Sequence, residues 1–337
     1  MSHFPACHVL FPIDVEGRYE AFFLATEEHL AKTYPLDSYF FTWRVPATCI
    51  FGHNQNPLTE MDLDFCRRHN IRLCRRKSGG GTVFAEYSNT MLSLVTESVP
   101  VEELYHEYAH TVAQTLRKLG APVQVSGRND IETIDHKKIS GNAFYRLPQR
   151  NIVHGTMLYD TNLPLMTGAL TPPSIKMQSR GVKSVRSRIG LLKDYIQTDQ
   201  EGLRQFLIDN LTNRSITLTL DDIRAIEQIE QTYYEEDFLW GRSQTSASVV
   251  RKGYIDGCGM LEISLDVQDG RVEQVVVGGD YFEVEKNQAD KVFNQAFLHC
   301  PYNPIALKER ILLHHPEESI LQLPTDELIA LICKTEE

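Results

Sequence analysis

Arg75-Arg76-Lys77-Ser78 runs directly into Gly79-Gly80-Gly81-Thr82-Val83-Phe84, so bare backbone amides stand beside fixed positive charge. Such a pairing holds phosphate or carboxylate oxygens, because glycine lets the backbone approach an anion closely. Ile71 to Cys74 before the glycines and Thr82 to Phe84 after them read as strands, which sets the glycines in a strand-to-strand loop. Two familiar nucleotide motifs are absent. A Walker A loop needs Gly-Lys-Ser/Thr opening a helix, and a dinucleotide fingerprint needs Gly-x-Gly-x-x-Gly between strand and helix. Three glycines without further support are as often a plain turn.

Three later segments supply support. Ser126-Gly127-Arg128-Asn129-Asp130 puts a guanidinium, an amide and a carboxylate on a second glycine turn. A magnesium ion on nucleotide phosphates needs only one or two protein carboxylates, so Asp130 alone suffices as its ligand. By itself the turn would read as an Asx-type loop. Lys138, eight residues on, opens a strand with Ile139, Ala143 and Tyr145, and a lysine entering a strand beside glycine loops suits a fixed cation. Asn151 to Asp160 reads as another strand with a polar break at His154-Gly155, where the histidine alone would pass for a core residue. Finally, Thr161 to Lys193 contains no Asp or Glu but carries Lys176, Arg180, Lys183, Arg186, Arg188 and Lys193. With Gly181, Ser184 and neighbouring serines, this basic stretch reads as a loop able to close over an anionic ligand.

His106-Glu107-Tyr108-Ala109-His110 spells the zincin motif and sets a metalloprotease against these readings. At about 100° per residue, Leu104, Tyr108, Val112, Thr115 and Leu119 share one helix face and both histidines point away from it. A catalytic zinc helix aims its histidines into a cleft instead.

The elements that must position these residues read as α+β. Tyr19 to Thr33 is expected to form an amphipathic helix, Ser38 to Arg44 and Ala47 to Gly52 strands, Leu58 to His69 a helix, and Val101 to Leu119 a long helix. Strand candidates between Ile71 and Asp160 imply a mixed, mainly antiparallel sheet flanked by helices. Asp199 to Thr212 and Leu220 to Glu235 read as helices, and Trp240 to Ser246 as a linker. A hairpin then turns at Asp269-Gly270 between Met260–Val267 and Val272–Val277, and helices near 285–297, 303–313 and 325–334 complete a small α+β C-terminal domain. At 337 residues the chain is long enough for two cores.

Composition narrows the class. A net charge of -11 and a pI near 5.6 argue against nucleic acid as a partner. No apolar run approaches a membrane span and no secretory leader is evident, so a cytoplasmic protein is expected. The seven scattered cysteines have no Cys-x-x-Cys spacing, which argues against a disulfide framework or a zinc site.

Taken together, Arg75 to Gly81, Ser126 to Asp130, Lys138-Ile139-Ser140-Gly141, His154-Gly155-Thr156-Met157-Leu158 and Gly181-Val182-Lys183-Ser184-Val185-Arg186-Ser187-Arg188 resemble the lipoate-protein ligases in order and spacing. The resemblance runs from about Tyr19 to Gly241, and more loosely through the accessory domain of bacterial members. It implies a biotin/lipoate ligase-like catalytic domain over residues 1–245 and an accessory domain over 246–337. It also implies a reaction: lipoate and ATP give lipoyl-AMP and pyrophosphate, and a specific acceptor lysine then takes the lipoyl group. The acceptors it implies are lipoyl domains of 2-oxoacid dehydrogenase E2 subunits and the glycine cleavage carrier protein.

Carried across from the family, Lys138 is the catalytic cation. Arg76, Ser78, Gly79, Gly80, Gly81, Val83, Phe84, Asn129, Ala143, His154 and Gly155 bind substrate and adenylate, while Trp43 lines the acyl tail. Asp130 takes Mg2+, and Gly181, Lys183, Ser184, Arg186 and Arg188 cover the adenylate. The resemblance has one departure: the family usually follows Val-Phe with His-Asp, whereas this chain has Ala85-Glu86, which leaves lipoate, octanoate or a relative open as the preferred acid. The alternatives are a carrier-dependent octanoyl or lipoyl transferase, a biotin ligase, and a non-catalytic acyl-adenylate binder. No cysteine lies between Cys74 and Cys258, where related transferases place their nucleophile, and the biotin-ligase Arg-Gly-Arg sequence is absent.

Overall fold

The computed structural model describes residues 3–127, 130–170, 189–241, 247–285 and 287–334. Along the chain these form β1 (Ala6–Leu10), α1 (Glu20–Thr33), β2 (Tyr39–Trp43), β3 (Thr48–Phe51), α2 (Pro57–Glu60), α3 (Leu63–Arg68), β4 (Arg72–Arg75), β5 (Val83–Ala85) and β6 (Thr90–Glu97). Then come α4 (Val101–Lys118), β7 (Val123–Ser126), β8 (Asp130–Thr133), β9 (Lys138–Leu147), β10 (Arg150–Met157), α5 (Leu163–Ala169), α6 (Gln200–Leu211), β11 (Thr212–Thr217), α7 (Leu220–Gln231) and α8 (Glu236–Trp240). The last elements are β12 (Val249–Ile255), β13 (Gly259–Gln268), β14 (Arg271–Gly279), α9 (Ala289–Phe297), α10 (Pro304–His314) and α11 (Thr325–Ile332).

Two compact units result. The first comprises Met1–Phe51, Leu58–Arg76 and Thr82–Leu239, and the second Gly52–Pro57, Lys77–Gly81 and Trp240–Glu337. In the first, eight strands lie in the order β11-β1-β2-β6-β10-β9-β8-β7. From β2 to β7 every pairing is antiparallel, and β1 pairs in parallel with both β2 and β11. This is the expected mixed, mainly antiparallel α+β sheet. A smaller sheet, β4-β3-β5, faces the same apolar cluster through Ile50, Cys74, Val83 and Ala85.

Helix α1 departs from the amphipathic expectation, for Glu20 to Leu30 are all buried. It packs against the large sheet through β6 and β10 and against α7 on another side, and Ile50 and Cys74 of the small sheet share its core, so little of it meets water. Its ionisable side chains therefore have partners. Glu28 meets Lys32 at 2.5 Å, and Glu20 accepts from Thr48 Oγ1 at 3.3 Å with Arg72 3.8 Å away. Burial still pushes the Glu20 carboxyl above its ordinary range.

Two further differences have local causes. The helix expected over 58–69 is split, because Asp62 caps a new start by accepting from Phe65 N at 2.8 Å. Strands β1, β11 and β12 are absent from the sequence reading; β11 and β12 are sheet edges, and β1 lies next to the edge between β11 and β2. Beside β12, the hairpin turn forms as expected: Asp269 and Gly270 both take positive φ, at 48° and 74°, as a two-residue turn requires. In the second unit, α9 to α11 and β12-β13-β14 enclose a separate core around Leu261, Ile263, Phe293 and Leu328. Among the described residues no helix is long and apolar enough to cross a membrane.

Asp222 on α7 anchors α1. Its carboxylate lies 2.8 Å from His29 Nε2 and accepts from Tyr34 OH at 2.9 Å and from Thr219 N and Oγ1 at 2.7 Å. Burial raises its pKa, but the bonds from Thr219, His29 and Tyr34 outweigh burial and hold it down at about 2. A carboxyl depressed in the folded state stabilises the protein above its unfolded value and loses that contribution as pH falls through the folded one. Asp222→Asn is expected to cost about 2 kcal/mol at pH 7. Urea unfolding of both proteins from pH 7 downward should show the gap closing between about pH 4 and pH 2.

Candidate active site

Lys138 owes its direction to an irregularity. Asp130 pairs with Gly141 and Ile131 with Ser140, but Glu132 pairs with Lys138, so β9 carries one extra residue at Ile139. In a regular strand Lys138 and Gly141 would face opposite ways, and the bulge turns both to one side. There Lys138 Nζ lies 2.8 Å from Asp130 Oδ1. A Cβ at Gly141 would lie 2.6 Å from Lys138 Cε and 2.7 Å from Nζ, so this glycine provides the space the lysine occupies. Asp130 Oδ1 is shielded from water and makes no hydrogen bond of ordinary geometry, which leaves the ammonium as its compensating charge. Beside the shielded Oδ1 the Asp130 side chain keeps 30% exposure, as a single carboxylate ligand to magnesium carried on nucleotide phosphates would need. Burial first, and the Asp130 charge second, raise the Tyr105 hydroxyl above its ordinary range. Ile189 pairs in parallel with Lys138, and Gly190 N donates to Lys138 O at 2.9 Å.

Strand pairing extends this face away from the charge. One row across the sheet is Trp43, Met91, Thr156, Gly141 and Asp130, and the next is Phe41, Ser93, His154 and Ala143. A third holds Tyr39, Val95, Ile152 and Tyr145. Lys138 thus stands at one end of a face whose other end is aromatic and apolar. A polar chain crosses beneath α1: Trp43 Nε1 donates to Ser93 Oγ at 2.9 Å, Ser93 Oγ donates to Glu27 Oε1 at 2.5 Å, and His154 Nδ1 lies 2.8 Å from Glu27 Oε2. Trp43 also stacks on Phe23 with centroids 5.0 Å apart. Burial, then the Glu27 and Glu28 charges, raise the Tyr145 hydroxyl far above its usual range.

The structure distributes the other sequence-derived residues. Arg76 follows β4, is buried, and donates from Nη1 to Ile50 O at 2.9 Å. Its neighbour Arg75 is taken up structurally, bonding Leu239 O through Nε and Nη2 and lying over the Phe51 ring. Val83 packs on the α1 cluster, whereas Phe84 points into a different one with Cys49 and Phe51. Gly155 lies on the opposite face from Lys138, where a Cβ would fall 1.9 Å from Asn142 Oδ1. Ser78, Gly79, Gly80 and Gly81 belong to the second unit. Ser78 O accepts from His53 N, Gly80 N donates to Tyr281 O at 3.2 Å, and a Cβ at Gly79 would fall 2.3 Å from Tyr281 O. Asn129, Gly181, Lys183, Ser184, Arg186 and Arg188 lie outside the described residues. On α4, His106 is exposed and Glu107 is engaged by His3 N and Nδ1, at 2.7 and 2.6 Å.

Residues 20–212 match the model of the lipoyl protein ligase A/B catalytic domain. The chain belongs to this family. Relatives within it include a probable lipoate-protein ligase A of Mycoplasma pneumoniae, 31% identical over 72% of this chain and 74% of that protein. Lipoate-protein ligase LplJ of Bacillus subtilis is 30% identical over 77% and 82%. The P. falciparum LipL1 structure in complex with lipoate shares the fold with a TM-score of 0.77 at 18% identity, covering 97% of this chain and 99% of that one. A lipoate-protein ligase A bound with ATP superposes with a TM-score of 0.60 at 22% identity, over 71% and 100%.

Against the family's His-Asp, both variant residues have local tasks. Ala85 is fully buried in the cluster with Trp43, Tyr145 and Ile152. Glu86 Oε1 accepts from Thr161 Oγ1 at 3.0 Å and from Asn162 N, and so ties the β5–β6 turn to the start of α5. Sequence reasoning missed Glu27, Ser93 and the steric task of Gly141. The Lys-Ile-Ser-Gly spacing was the available signal for the last, but no local pattern marks a helix carboxylate that reaches across to two strands. Replacing His154 by Leu removes one of the two partners described for the Glu27 carboxylate, which has 0% exposure. The change is expected to cost about 3 kcal/mol in urea unfolding, since removing one partner of a buried pair leaves the other's polar atom unmatched.

Proposed function

We propose that the protein is an ATP-dependent lipoate-protein ligase, and that Lys138 is its catalytic cation. Family membership supports the reaction class. The observation that carries the residue assignment is the single sheet face with Lys138 at one end and Trp43, Phe41 and Tyr39 toward the other. An acid with a long apolar tail fits such a face, carboxylate at the lysine. The carboxylate oxygen attacks the α-phosphorus of ATP, pyrophosphate leaves, and lipoyl-AMP forms. An acceptor lysine then attacks the acyl carbonyl, AMP leaves, and the amine nitrogen loses its proton as the amide forms.

In the first step a charged carboxylate attacks a charged phosphate, and in the second negative charge develops on the acyl carbonyl oxygen and the leaving AMP, so preorganised cations supply most of the rate enhancement and no protein nucleophile is needed. Lys138 bridges the carboxyl and phosphate oxygens and Arg76 holds the remainder; the Gly79 to Gly81 segment is carried over from the family as an anion-binding loop. Asp130 would hold Mg2+, which would offset phosphate charge. His154, Ala143, Val83 and Trp43 border the tail, and Asn129 and the 181–188 segment meet the adenylate. The catalytic domain spans 1–245 and the accessory domain 246–337. Acceptors are lipoyl domains of E2 subunits and the glycine cleavage carrier, modified in the cytoplasm.

The cysteines favour this reading over a thioester-forming transferase. Cys49, Cys66, Cys74 and Cys258 are buried. Burial raises the Cys74 thiol, and a hydrogen bond with Cys66, then burial, raise Cys49, so neither suits a thiolate nucleophile. Lipoate-dependent exchange of labelled pyrophosphate into ATP tests the proposal, with octanoate and biotin in parallel. Lys138→Ala is expected to lower exchange by on the order of 10²-fold or more while the protein remains folded by circular dichroism. Undiminished exchange in that variant rejects the lysine assignment, and no exchange by the wild-type chain with any acid rejects the ligase.

A further inference from the structure

We propose that the second unit carries a binding site of its own, a recess between β12, α10 and α11 that takes a monocarboxylic acid with a short apolar chain. The proposal is independent of the ligase reading, since none of its residues lies on the sheet face that carries Lys138. A cavity of about 380 Å³ opens beside Val249 and Arg251 near the start of β12, Leu307 near the start of α10 and Ile332 at the end of α11. That volume falls in the ordinary range for small-molecule sites, roughly 300 to 1,000 Å³.

The lining has two characters. Val249, Leu307 and Ile332 continue the apolar core of this unit to the cavity wall. Arg251 and Lys334 supply positive charge, and no Asp or Glu is among the lining residues, although the chain as a whole carries a net charge of -11. Such a wall suits an anion with an apolar body. Alternation along β12 puts Arg251 on the same face as Val249 and Gly253, and a Cβ at Gly253 would lie 3.0 Å from Leu331 Cδ1 of α11, so this face is the one the helices cover. The guanidinium is held in place there. Its Nη2 donates to Tyr302 OH at 2.9 Å, and Tyr302 N donates to Gly270 O at 2.8 Å. Five N–H groups on a planar fork let an arginine take a ligand carboxylate beside the acceptors it already has.

The wall also contains its own reporter. Of the seven cysteines Cys333 is the one that is not buried, and it lines the recess with its thiol donating to Pro304 O at 3.4 Å. Burial raises that thiol above its ordinary range, so its alkylation is followed at alkaline pH. An acid in the recess covers it.

The test is the rate of Cys333 alkylation by N-ethylmaleimide in the full-length protein, read by site-resolved mass spectrometry while octanoate is titrated. Protection is expected to reach about tenfold at ten times the midpoint concentration, because only the empty recess reacts. Shorter acids should shift the midpoint upward by about fourfold per methylene removed, and octylamine, with the same tail and the opposite charge, should not protect. Arg251→Gln is expected to raise the octanoate midpoint by about tenfold or more, and Lys334→Gln, a change at an exposed side chain that leaves the fold intact, by about threefold. Lys138→Ala should keep the wild-type midpoint, which separates this recess from the face in the first unit. An alkylation rate indifferent to octanoate, equal protection by octylamine, a wild-type midpoint in Lys334→Gln, or protection lost in Lys138→Ala would each overturn the site. None of these outcomes bears on adenylation, which the pyrophosphate exchange reads separately.

Discussion

A carboxylate buried without water must be matched by donors, and in the first unit that requirement is concentrated on α1. Glu27 reaches Ser93 on β6 and His154 on β10, and through Ser93 it fixes the indole of Trp43 on β2. A helix held only by apolar contacts can slide or rotate by a fraction of a turn at small cost. One held by a buried carboxylate with partners on neighbouring strands cannot, because any shift leaves the charge uncompensated. The face that carries Trp43, Ala143 and Lys138 therefore has a defined roof, and His29 with Asp222 secures the helix on its other side.

At the far end of that face, positioning is achieved by the backbone. A flexible four-carbon side chain is a poor device for holding a charge in place, since its rotamers cost little to exchange. Here an inserted residue sets its direction, a glycine provides its volume, and a carboxylate fixes its end. The first two act without depending on protonation or salt.

The arginine-glycine segment divides its labour differently from its appearance in the sequence. Arg75 is consumed by the Leu239 carbonyl and the Phe51 ring, while Arg76 bonds the Ile50 carbonyl. Gly79 and Gly80 approach the backbone at Tyr281 within the second unit, so close packing is at least one reason for glycine there. Adjacent arginines and consecutive glycines look alike in a sequence and separate only when their neighbours are known.

Sequence alone determined the α+β class, the helices at 101–118, 200–211 and 220–231, the 269–270 turn and the motif residues from Arg76 to Gly155 that mark the family. Each rests on local periodicity, turn chemistry or motif spacing, which a one-dimensional pattern carries. It also placed His106 and His110 outside the core by helical geometry. Only the tertiary structure decided that α1 is buried all round, that β1 and β11 join in parallel, that Gly155 and Lys138 occupy opposite faces, and that Gly141 is empty for the lysine's sake. These facts depend on which distant segments meet: a glycine's purpose is the shape of whatever fills its missing Cβ, and a bulge exists only relative to the strand it is paired with.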